Sequence, residues 1–262
     1  MKNRIRLKHI VFILLTGFLV ASCEDIWNRC VDGNGDREIE SRNLTGFERI
    51  EINGDFDVQI TTGEEPAAII ETDENLIDLI VTHVSGNKLI VETRNGICIR
   101  PTRPVEISIS AGDIREITLN GSGLVYCYGL IAENLEVDLS GSGEIELDNV
   151  VCTAADIELE GSGLIDCDLV SEDVKTQLEG SGEIKVRGQS VSGDHKIIGS
   201  GKINASFLNS DVAVVYISGS GVVDVDVNNA LDVTIIGSGK VYYTGNPNVT
   251  EYISGSGDVI ER

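Results

Sequence analysis

The stretch Ile157-Glu158-Leu159-Glu160-Gly161-Ser162-Gly163-Leu164-Ile165-Asp166-Cys167 decides the fold. Apolar and polar residues alternate up to Gly-Ser-Gly and alternate again after it, which is strand periodicity on both sides of a corner. The triplet recurs with its first glycine at Gly121, Gly141, Gly161, Gly180, Gly199, Gly219, Gly237 and Gly255. The successive intervals are 20, 20, 19, 19, 20, 18 and 18 residues. A period in this range marks a solenoid, because one coil cannot bury its apolar face alone and must stack on its neighbours.

Aligning the triplets exposes the core. Two residues before each stand Leu119, Leu139, Leu159, Leu178, Ile197, Ile217, Ile235 and Ile253. Four residues after each first glycine stand Val125, Ile145, Ile165, Ile184, Ile203, Val223, Val241 and Val259. Both columns are wholly aliphatic. The intervening positions are mostly polar, such as Glu146, Asp166, Lys185, Asn204 and Asp224. Each coil therefore has one strand entering the triplet and one leaving it. Glycine at the corner supplies backbone angles closed to other residues. Each strand pairs with its counterpart one period later, so the sheets are parallel. Parallel crossovers turn right-handed. The expected fold is an all-β, right-handed parallel β-helix with ~19-residue coils and Gly-Ser-Gly corners, the eight coils spanning ~38 Å at one strand spacing each.

The chain ahead of the repeats is different. Residues 1–22 read as an export leader: Lys2, Arg4, Arg6 and Lys8 precede a short apolar run, Ile10 to Val20. Leu19-Val20-Ala21-Ser22-Cys23 then resembles the lipobox of bacterial lipoproteins, which implies cleavage before Cys23 and lipid on Cys23. The other reading is an ordinary signal peptide with Cys23 a stray thiol; the ordered basic, apolar and small segments favour the lipobox. Residues 23–44 are polar and read as a tether from lipid to rod. Residues 45–262 form the β-helix domain, with 45–112 as irregular N-terminal coils and 113–262 as regular repeats. Within the irregular part, Ala67 to Thr72, Leu89 to Thr93 and Val105 to Ser110 read as strands, while Asn75 to Val81 is a short helical turn or a strand.

Charge narrows the partners. Losing the leader moves the formal net charge from −23 to −27, with 16 basic residues left against 43 acidic. Such a surface excludes nucleic acid, whose backbone demands basic groups. It also repels anionic lipid, so membrane attachment must come from the acyl group.

Five cysteines follow Cys23. Cys127 and Cys167 share one column two coils apart, with Leu147 between them, or ~9.6 Å at strand spacing. That exceeds the ~7 Å Cα limit for a disulfide. Both read as small buried apolar residues. Cys30 and Cys98 lie outside the repeats and are the more plausible disulfide. No cysteine spacing resembles a zinc site, and no cofactor is indicated.

The lipobox, the opening Phe47-Glu48-Arg49-Ile50 with Asp57-Val58-Gln59-Ile60, and the serial Gly-Ser-Gly coils resemble a bacterial family described as "putative auto-transporter adhesin, head GIN domain". The resemblance covers roughly residues 45 to 262. It implies a right-handed β-helix and an adhesin-like role. This sequence shows no translocator barrel after its repeats, so exposure on the cell surface is not implied.

Candidate sites compete with plainer readings. The serine ladder (Ser122, Ser142, Ser162, Ser181, Ser200, Ser220, Ser238, Ser256) fits neither a phosphate loop nor a nucleophile elbow and reads as architecture. Glu116, Glu136 and Asp156 stack on one outward face, with Lys175 falling between Asp156 and Asp194. A solvated, partly paired acidic face is favoured there over a calcium site at Glu136 and Asp156. His195 sits in an inward column beside Thr176, as a core residue and not a catalyst. Tyr126 and Tyr242 are candidates for stacking on sugars. The function expected is a lipid-anchored, non-enzymatic binding or structural module of the cell envelope, an outer-membrane lipoprotein with a protein or glycan partner. The alternative is a carbohydrate-active or carbohydrate-binding β-helix protein. Coil intervals that vary by only two residues leave no insertion to build a cleft within the repeats.

Overall fold

The computed structural model describes residues 30–262. The leader and Cys23 lie outside the described residues. From Glu116 onward the chain winds as a parallel β-helix. Strand Glu116–Gly121 pairs in parallel with Ile131–Gly141, which pairs with Glu144–Gly161, and so on to Asn248–Gly255. The register is one coil per step: Leu119 faces Leu139, Leu139 faces Leu159, and Leu159 faces Leu178. Both aliphatic columns are buried from Leu119 to Ile235 and from Val125 to Val241; only the last coil's Ile253 and Val259 are partly covered. Each such residue stabilises the stack by ~1.5–3 kcal/mol.

The corner shows why the triplet is Gly-Ser-Gly. The first glycine has a positive φ, +122° at Gly161. A Cβ there would lie 2.3 Å from the carbonyl oxygen of Gly141 in the coil below. A Cβ on the second glycine, Gly163, would meet the Gly143 carbonyl at 2.5 Å and a methyl of Leu139 at 2.7 Å. The serine supplies backbone more than hydroxyl: Ser162 N–H donates to Gly141 O at 2.9 Å, and the same bond repeats up the rod. Among the eight corner serines only Ser220 and Ser238 bring their hydroxyls together, at 3.2 Å. Strand spacing is too wide for a continuous hydroxyl ladder without tilting side chains.

Each coil has a third, short side that the two-strand reading lacks. Between the leaving strand and the returning strand, Val150 and Cys152 turn inward, as do Leu130 and Leu169 in neighbouring coils. The register shifts fall in or next to this side, for example between Leu147 and Val150 and between Ala205 and Asn209. Coil length varies here while the corner stays fixed.

The N-terminal part caps the rod. Arg49–Asn53 and Phe56–Thr62 form a coil beneath Glu116–Gly121 and Leu124–Tyr128. Lys88–Thr93 and Val105–Ala111 form the coil beneath that. Ala67–Asp73 then pairs antiparallel with Val105–Ala111, and Arg37–Asn43 antiparallel with Ala67–Asp73. Glu74–Leu79 is a 3-10 helix, followed by strand Ile80–Ser85. The tether expected over residues 23–44 is therefore corrected for its described part: Cys30–Asp32 and Arg37–Asn43 are strands of the cap. The charged side chains of Arg37, Glu38, Glu40 and Arg42 misled the reading; they belong on an edge strand, where charge discourages pairing with another chain. Cys30 and Cys98 are disulfide-bonded, joining Cys30–Asp32 to its parallel partner Cys98–Arg100. Cys127, Cys152 and Cys167 are free and buried. Burial pushes the Cys127 thiol up to about 11 and raises Cys167 further, so neither is a nucleophile at neutral pH.

Candidate functional site

A groove runs along the rod where the short side bends into the returning strand. At this bend Leu135 points inward while Asn134 and Glu136 on either side face out. Stacking repeats the bend. One row is Asn134, Ala154, Asp173 and Ser192; the row beside it is Glu116, Glu136, Asp156, Lys175 and Asp194. The rows enclose about 790 Å³, with Arg49 and Arg115 at one end. A second hollow of about 480 Å³ adjoins it through Arg115 and Asn134 and includes Ile131 and Ala132.

Like charges one strand spacing apart repel, so the acidic row needs cations. Lys175 Nζ sits 2.7 Å from Asp156 and 3.5 Å from Glu158. Lys88 Nζ lies 2.7 Å from Glu116, and Arg49 lies 3.9 Å from it. Glu136, Asp138 and Asp194 make no ion pair among the described residues. Asp138, beside the groove, is pushed up to about 6 by burial, then by Glu136, Glu158, Glu116 and Asp156. Its folded-state value lies above the ordinary 3.8, so ionisation costs stability above about pH 6 and nothing below about pH 4. Asp138→Asn is expected to stabilise the fold at pH 7.5 by on the order of 1 kcal/mol, discounted for solvent screening. Thermal melts should show a gain of a few degrees at pH 7.5 and none at pH 3.5.

The structure places the other candidates as follows. Glu136 and Asp156 are register neighbours, but a lysine already occupies Asp156. Among the described residues no three His, Cys, Asp or Glu groups gather as a metal would require. His195 is buried, its Nδ1 2.9 Å from Thr176 Oγ1. Burial pulls it down to about 4, so it is neutral in the core. Its ring fills the space that Gly193 leaves free, where a Cβ would approach Nε2 to 2.7 Å. Tyr126 is half-buried, and Tyr242 lies under Arg262, whose guanidinium is 4.0 Å from the ring centre. Neither tyrosine is an open platform. Among the described residues the freely exposed aromatic rings are Phe207, Tyr252 and Tyr128. Sequence reading missed them because they sit where coil length varies or in outward columns that are otherwise polar.

The family model for "putative auto-transporter adhesin, head GIN domain" matches residues 46–166 and 145–247. The chain belongs to that family. Solved structures share its fold. One, described as a putative lipid binding protein from Parabacteroides distasonis, is 27% identical with a TM-score of 0.84, over 88% of this chain and 99% of that one. A putative adhesin from Parabacteroides merdae is 22% identical with a TM-score of 0.84, over 90% and 100%. A second putative adhesin from P. distasonis is 20% identical with a TM-score of 0.83, over 88% and 99%. No curated protein matches the sequence. The head GIN membership gives the chain an adhesin-like character.

Proposed function

We propose that this head GIN protein is a lipid-anchored, non-catalytic binding rod of the cell envelope, held by acylated Cys23 and engaging its partner along the lateral groove. The observation that carries the reading is the groove itself. Six consecutive coils contribute to it, so it presents a straight, rigid track with Glu136 and Asp194 uncompensated. A rigid track suits recognition of an extended partner, because little ordering entropy is lost on binding. The interior is filled with aliphatic columns and offers no reaction chamber. The family match and an N-terminal segment that resembles a lipoprotein export signal support an envelope location.

Two measurements test this. Radiolabelled palmitate should be incorporated by the wild-type chain and not by Cys23→Ser, which should leave the membrane fraction. Beads carrying the purified rod should be retained on immobilised envelope or matrix proteins. Glu136→Lys with Asp194→Lys should abolish that retention without lowering the melting temperature. Retention unaltered by the double reversal removes the groove from the account.

A second reading, carbohydrate-active chemistry, rests on Asp138. A carboxyl held near pKa 6 beside Glu136 and Asp156 has the character of a general acid next to a base. Reducing-sugar release from polysaccharide, lost in Asp138→Asn, would establish it. No release would leave the binding rod standing.

A further inference from the structure

Phe207 is the most exposed large apolar residue on the rod, with 77% of its surface open. It is exposed because of a bulge. Ala205 pairs with Val225 and Asn209 with Asp226, so Ser206-Phe207-Leu208 have no counterpart in the following coil. Bulges re-aim side chains. Here Leu208 turns inward and is buried, while Phe207 turns out over the face that the shorter neighbouring coil leaves uncovered.

The surroundings of the ring are polar and organised. Asn209, two residues on, shares its face. Asn209 Nδ2 donates to Asp226 Oδ2 at 2.9 Å, and Asn228 Nδ2 donates to Asn209 Oδ1 at 3.1 Å. Thr244 Oγ1 donates to the other oxygen of Asp226 at 2.8 Å. Gln189 is the register partner of Asn209 in the preceding coil, and Arg187 that of Phe207. Each amide keeps donor or acceptor capacity beyond these bonds. The local pattern is one open aromatic face flanked by a fixed chain of amides and a carboxylate.

We propose that this bulge is a glycan-binding site: the C–H face of a neutral pyranose stacks on Phe207 while its hydroxyls bond to Asn209, Asn228 and Gln189. The proposal rests on the non-catalytic binding reading but uses a different surface from the groove. A sugar is the occupant the chemistry selects. A protein partner would need a broad apolar core, and the neighbours of Phe207 are Arg187, Gln189, Asn209 and Asp226. A neutral glycan is selected over an acidic one by the chain's net charge of −23.

The test is an array of neutral oligosaccharides probed with the purified chain, followed by calorimetry on each glycan that binds. Because Phe207 is exposed, Phe207→Ala should melt at the wild-type temperature. It should weaken binding at least tenfold, Phe207→Trp should retain or tighten it, and Asn209→Ala should weaken it severalfold. No neutral glycan bound, or glycan binding equal in Phe207→Ala, overturns the proposal. So does a protein or liposome surface, probed in parallel, being the only one to lose binding in Phe207→Ala. Groove variants at Glu136 and Asp194 should leave glycan affinity unchanged, so failure here is separable from failure of the lateral groove.

Discussion

Gly161→Ala is expected to destabilise the rod by about 3–5 kcal/mol. Two costs combine. The backbone at Gly161 has φ of +122°, a conformation that alanine adopts only under strain. The added methyl would stand 2.3 Å from the Gly141 carbonyl oxygen, which is backbone and already accepts from Ser162 N–H. Relief requires separating two coils, so the loss spreads to the pairing around the corner. Ser162→Ala is the control. Its side chain is exposed and its stacking role is carried by backbone, so the change should stay within about 0.5 kcal/mol. Denaturant titration of the two variants settles the comparison. Equal, small effects would mean that the corners do not superpose as described.

The second large effect is Ile165→Asp. Ile165 is fully buried and lies between Ile145 and Ile184 in the same column. A carboxylate there has no partner, and an unpaired buried charge costs several kcal/mol beyond the lost apolar burial. The expected loss is at least about 4 kcal/mol. The same change at Ile253 in the last coil should cost only about 1–2 kcal/mol, because that side chain is partly exposed. Hydrogen exchange should show opening of the coils flanking residue 165 in the first variant and of the final coil alone in the second. Matching losses at the two positions would contradict a stack held together by nearest-neighbour contacts.

The contrast between repeat and cap shows what a single sequence reveals. The corner columns were legible because each glycine faces its equivalent in the next coil, so geometry forces one residue type at a fixed count. The short third side was not, because its register shifts, as between Leu147 and Val150, erase the count from the preceding triplet. The cap was legible as strands at Ala67–Asp73, Lys88–Thr93 and Val105–Ala111, but Arg37–Asn43 was hidden by its charges, and no pairing could be read. Antiparallel contact between Arg37–Asn43 and Ala67–Asp73 joins segments with no repeat to align them. The acidic row of the groove was visible as Glu116, Glu136 and Asp156, but its concavity comes from the bend at Leu135, which no period announces. Phe207 gave no signal in the sequence because Ser206-Phe207-Leu208 has no counterpart in the following coil, so the count from the triplet fails there.

Distances between spin labels on the corner serines test the in-register stack most directly. Pairs of cysteines placed at Ser142 and Ser238, and at Ser122 and Ser256, lie five and seven coils apart. Label separations should grow by ~4.8 Å per coil, to ~24 Å and ~34 Å between backbones. Separations that fail to rise with coil number, or that scatter between conformations, would contradict the superposed corners on which the continuous interior and the lateral groove depend.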